Sequence, residues 1–249
     1  MKIKKILSMA LVSGLVLGLT GFNSTASADS EVVQKINLKP EKNSETPFDS
    51  VTYTKDGTEE KYVIKGSKKA DGIIKEYNVR IDKENKTYKV EKVANPIVEK
   101  DSNSEPTGVM PLAAGTYHTA WVKAKTVDLP TVDLCYTKLT ANWADYGSDI
   151  SFVSQDLATW AANPSTAKTN WFLSSKHLYT AKPNSDYSKI TYSADAFYYN
   201  YDFLLPNVRT DLHHDIFITA NNNGTYTYDV NWVPSGEFNN ALFLTVTTS

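Results

Sequence analysis

Cysteine is nearly absent: Cys135 is the single one in 249 residues. No intrachain disulfide can form, so the fold has to be held by burial and hydrogen bonding. Within DLCYTKL the thiol reads as a small hydrophobe rather than a reactive group. Glycine is sparse, eleven residues scattered along the chain, which excludes a glycine-rich phosphate loop. Glutamate all but disappears from the second half, where Glu237 is the only one after Glu105. That excludes a pair of catalytic glutamates of the glycosidase kind. Asp145, Asp149, Asp195, Asp202 and Asp229 cannot be paired from sequence and read as solvated loop or strand-edge carboxylates. Neither an H-E-x-x-H zinc signature nor a G-x-S-x-G nucleophile elbow occurs.

What is present begins with a targeting signal. Lys2, Lys4 and Lys5 precede an apolar run from Ile6 to Leu19, followed by Ala26-Ser27-Ala28. A charged start, a short apolar stretch and a small-residue cleavage site predict a signal peptide over 1–28, with the mature chain starting at Asp29. The last residues, LFLTVTTS, have no apolar span and no basic tail, so a secreted, extracellular product is expected, without stable membrane insertion. Avoidance of cysteine in an exported chain matches the habit of Gram-positive bacteria. The leader removes three lysines and leaves 23 basic against 28 acidic residues, a net charge of −5. Nucleic acid and anionic lipid are thereby disfavoured as partners.

Composition changes near Met110. Residues 29–109 hold 15 Lys/Arg, 16 Asp/Glu and five aromatics, whereas residues 110–249 hold 8, 12 and 23. Two units are expected, because only the second has ample material for a core. Residues 29–50 read as a disordered mature N-terminus. Residues 51–94 read as a small β module or pro-region, with a hairpin at Asp56-Gly57 and a second between GIIKEYNVRI and KTYKVEKV. The second hairpin resembles, over about twenty residues, that of PepSY-type modules, which implies an exported protein or a protease propeptide. Residues 95–110 read as a linker.

From 111 to 249, short segments rich in β-branched and aromatic residues alternate with turn residues, as in Asp145-Tyr146-Gly147 and Pro183-Asn184-Ser185. The spacing predicts an all-β, antiparallel β-sandwich domain. Only SQDLATWAA, residues 154–162, suggests a short helix or a loop. The clearest strand pair joins Ile216, Ile218 and Ala220 to Tyr226, Tyr228, Val230 and Trp232 through the turn Asn221–Gly224.

Two constellations carry chemistry. In an extended Asp211-Leu212-His213-His214-Asp215, the side chains of Asp211, His213 and Asp215 share a side and suit Zn²⁺, given a further ligand such as His177 or His118. The plainer reading is a hydrated face opposite buried Leu212, His214, Ile216 and Ile218. The second is aromatic: Phe197, Tyr199, Tyr201 and Phe203 alternate with Tyr198. Tyr198, Tyr199, Tyr201 and Trp232 are candidate ligand-binding rings, set against a reading in which one face is core. The expectation is a non-catalytic secreted protein binding a glycan, the cell envelope or a protein through these rings. The alternatives are an exported metal-dependent hydrolase at Asp211, His213 and Asp215, and a secreted toxin or bacteriocin-like protein with residues 29–109 as a removable pro-segment.

Overall fold

The computed structural model describes residues 33–42, 44–70, 72, 74–82, 84–93, 115–128, 132–162 and 170–249. The predicted signal peptide and the 95–110 linker lie outside the described residues. Strands in chain order are β1 (Gln34–Asn37), β2 (Lys39–Pro40), β3 (Ser50–Asp56), β4 (Glu59–Lys69), β5 (Lys75–Asp82) and β6 (Thr87–Lys92). They continue with β7 (Thr116–Asp128), β8 (Val132–Asp145), β9 (Ile150–Ala161), β10 (Phe172–Leu178) and β11 (Lys182–Pro183). The last four are β12 (Lys189–Asn200), β13 (Thr210–Asn221), β14 (Thr225–Gly236) and β15 (Leu242–Thr248). Apart from a short 3₁₀ turn at Asn239–Ala241, no helix occurs among the described residues. The all-β reading is correct.

The strands form two sheets. One runs β1-β3-β4-β14-β13-β12-β10, with β11 also on β12, and the other runs β2-β6-β5-β15-β7-β8-β9. All strand pairs are antiparallel except the two-residue β2–β6 contact. Strict alternation explains the inner faces. In β13, Leu212, His214, Ile216, Ile218 and Ala220 are buried while the residues between them are half-buried. In β12, Tyr192, Ala194, Ala196 and Tyr198 turn inward. Side chains of one sheet reach the backbone of the other: Tyr192 Oη donates to the Asn142 carbonyl at 2.9 Å, and Tyr198 Oη to the Tyr136 carbonyl at 2.5 Å. The β13–β14 turn falls where Asn221–Gly224 predicts it, with Gly224 at φ 69°.

Three expectations need correction. The segment 154–162 belongs to β9 through Ala161 and pairs with β8, including Leu139 to Leu157 and Cys135 to Ala161. Its alanines and glutamine favour helix locally, but pairing to a long central neighbour overrides that preference. The stretch 29–50 is ordered in part, because β1 pairs with β3 and Leu38 and Phe48 are buried in the core. Lastly, residues 51–94 do not form a module of their own. β4 pairs with β14 from Thr225–Lys69 to Trp232–Tyr62, β5 pairs with β15, and Val32–Ser249 is one compact unit. Their thin apolar stripes, Tyr62 and Ile64 on β4 and Tyr77 and Val79 on β5, are covered by extending the two larger sheets.

Candidate binding face

The outward side of the β10-β12-β13-β14 sheet gathers most of the residues singled out from sequence. Register makes rows across it, since directly opposed residues lie on the same face. Phe172, Tyr199 and Asp211 form one row, Ser175, Phe197 and His213 the next, and His177, Asp195, Asp215 and Asn231 the third.

The first row is an aromatic and ionic stack. Phe172 lies nearly parallel to Tyr199 with centroids 5.3 Å apart, and Tyr201 meets Tyr199 edge-on at 5.3 Å. Arg209 sits 5.2 Å from the Tyr199 ring centre and 5.5 Å from that of Tyr201. Its Nε donates to both oxygens of Asp211 at 2.8 Å, and its Nη1 donates to Tyr201 Oη at 3.2 Å. The pairing with Asp211 holds the guanidinium pKa above its ordinary value. It also fixes the plane of the guanidinium against the two rings.

In the second row Phe197 and His213 are stacked face to face, 3.9 Å apart and 8° from parallel. Burial pushes the His213 pKa below the ordinary imidazole value, against the opposing pull of Asp215 and Asp195. A groove of about 410 Å³ runs here, lined by Glu59, Ser175, Phe197, Arg209, Asp211 and His213. Rings and charged groups thus share its wall, the mixture that small ligand sites use.

In the third row each carboxylate has its own partners. Asp195 accepts from Tyr179 Oη at 2.5 Å and contacts His177 Nδ1 at 2.8 Å. Asp215 accepts from Asn231 Nδ2 at 2.8 Å, and burial raises its pKa.

The structure thus divides the sequence candidates. Asp211, His213 and Asp215 do share the outward side of β13, but Asp211 is held by Arg209, His213 by Phe197 and Asp215 by Asn231. Three residues at i, i+2 and i+4 stand in a line along one strand rather than around a common point, and no group of three or more His, Cys, Asp or Glu is placed to hold a metal ion among the described residues. His177 is engaged with Asp195, and His118 packs near Trp143 and Asp145.

Tyr199 and Tyr201 are on the outer face, with Tyr201 47% exposed. Tyr198 and Trp232 are not: 1% and 4% exposed, they point into the core, where Trp232 Nε1 donates to Thr126 Oγ1 at 3.0 Å. A ring committed to the opposite sheet cannot also receive a ligand from solvent. Phe203 does not share the outer face of Phe197 and Tyr199, because β12 ends at Asn200 and the chain turns Phe203 inward against Trp171.

Sequence reasoning missed Phe172, Arg209 and Glu59. Arg209 had a signal, its i, i+2 spacing to Asp211 along an extended chain. Phe172 and Glu59 had none, because only the β10–β12 register sets Phe172 against Tyr199 and only the placement of β4 brings Glu59 to the groove. No protein-family model matches this chain, and neither does any curated protein or solved structure.

Proposed function

We propose that the protein is an exported, non-catalytic β-sandwich that binds a glycan of the cell envelope on the outer face of the β10-β12-β13 sheet. The signal-like leader supports export, and the stacking of two sheets with shared inner side chains supports the sandwich. One observation carries the ligand class: exposed Phe172 and Tyr201 flank half-buried Tyr199 beside a groove that presents exposed Phe197 together with Arg209, Asp211 and His213. Sugar rings offer apolar faces for stacking and hydroxyls for charged hydrogen-bond partners, so both halves of that wall have a use. The net charge of the mature chain makes a polyanionic glycan the poorer ligand.

The test is retention of the mature protein on purified bacterial cell wall and on a panel of neutral and charged polysaccharides. Retention on at least one is expected, reduced in Phe197→Ala and Tyr199→Ala variants that melt like the parent. No retention on any of them, or equal retention of both variants, would remove the glycan reading.

A further inference from the structure

The loop closing the β12–β13 hairpin, residues 201–209, carries two adjacent leucines at its tip. Leu204 is 56% exposed and Leu205 52%. The loop is braced rather than slack. Phe203, directly before them, is 1% exposed and meets buried Trp171 edge-on with centroids 5.7 Å apart. Asp202 Oδ1 accepts from the Asn207 N–H at 3.1 Å, and Asp202 bridges to Val208. Leu204 itself sits at φ 65°, a region that a bulky side chain avoids. Strain of this kind persists only where the surroundings impose it. Here the surroundings pull Phe203 in and leave both leucines out.

The neighbours of the tip are amphipathic. Tyr201 is 47% exposed and its hydroxyl accepts from Arg209, while Phe172 and Leu173 begin the adjoining strand at 42% and 39% exposure. An aliphatic point followed by tyrosine and arginine matches a medium that changes from apolar to wet over a few ångströms, as a membrane interface does. A pocket in a partner protein would suit an anchor set in a flatter rim, whereas this pair stands at the end of a hairpin. Charge selects the headgroup. Arg209 is already neutralised by Asp211, and the mature chain is net acidic, so neither attracts anionic lipid.

We propose that the 201–209 tip is a reversible docking element for a neutral lipid surface, with Leu204 and Leu205 entering the acyl boundary. This goes beyond the glycan reading and does not rest on it, because neither leucine lines the groove.

Cosedimentation of the mature protein with phosphatidylcholine vesicles, with and without added phosphatidylglycerol, tests it. Comparable binding to both is expected. The Leu204→Ser/Leu205→Ser double variant should bind at least about tenfold more weakly. Its melting temperature and its retention on cell wall should stay at parental values, whereas Phe197→Ala should affect only cell-wall retention. Failure of the parent to sediment with either vesicle would overturn the proposal and leave a protein pocket as the occupant. Binding only in the presence of phosphatidylglycerol, or equal binding by the double variant, would overturn it as well.

Discussion

His214 Nε2 lies 2.8 Å from Thr126 Oγ1, so a fully buried imidazole of one sheet is bonded to a hydroxyl of the other. Its Nδ1 lies 3.1 Å from Thr137 Oγ1, which in turn contacts Tyr198 Oη at 2.9 Å. Both ring nitrogens thus face hydroxyls, each of which can donate or accept. Trp232 Nε1–H donates to Thr126 and Tyr198 O–H to the Tyr136 carbonyl, an arrangement compatible with Thr126 donating to Nε2 and Nδ1–H donating to Thr137. Burial brings the His214 pKa down to about 3.

The fold therefore refuses a proton that the unfolded chain accepts below its ordinary value near 6.5. This contribution to stability is intact above pH 6.5 and declines as pH falls, by about 1.4 kcal/mol per unit, until the folded value is passed. His213, also lowered, acts in the same direction, while Asp215, raised by burial, acts in the opposite one. Urea unfolding between pH 7 and pH 4 should show a falling midpoint for the parent. The His214→Gln variant should start lower and decline less steeply. An equal slope in both would show that His214 does not set the acid limit.

Gly66 is opposed to Tyr228 across β4 and β14, and a Cβ at Gly66 would come within 2.4 Å of the tyrosine Cζ. Tyr228 is buried and cannot swing into solvent. Gly66→Ala should cost about 1–3 kcal/mol by overpacking. Combining it with Tyr228→Val should cost less than the sum of the two single changes, as measured by chemical denaturation. Strict additivity would mean that the two positions do not compete for space.

Removing residues 29–109 should leave the remainder unable to fold as a soluble monomer. β14 would lose its β4 neighbour and β15 its β5 neighbour, so an edge would open on each sheet next to buried Tyr228, Trp232 and Val246. Expressed alone, residues 111–249 should aggregate. A chain cut once between 95 and 110 should elute as an intact complex from a sizing column. A monomeric, cooperatively melting 111–249 fragment would instead restore the pro-segment reading.

Cys135 is fully buried, and burial raises its thiol pKa well above the ordinary value. Thiol reagents at pH 8 should modify it only at the rate of global unfolding, and stoichiometrically in denaturant. Rapid labelling of the native protein would show that β8 opens locally.

Much of this was legible without coordinates. Side chains on an extended chain alternate, so the inward set of β13 and the run from Tyr226 to Trp232 on β14 could be read directly, as could the turn at Gly224 and the apolar setting of Cys135. Local chemistry determined these. The tertiary structure decided everything that depends on a distant partner. It made a strand of 154–161 by pairing it with β8, and it spread the charge-rich 34–92 stretch over both sheets. It sent Tyr198 and Trp232 inward to bond with the opposite sheet while leaving Tyr199 and Tyr201 outside, a choice that ring chemistry alone does not make. It also kept Asp211, His213 and Asp215 apart by giving each its own neighbour. Periodicity tells which residues share a face. Only the second sheet, arriving from elsewhere in the chain, determines which face is dry.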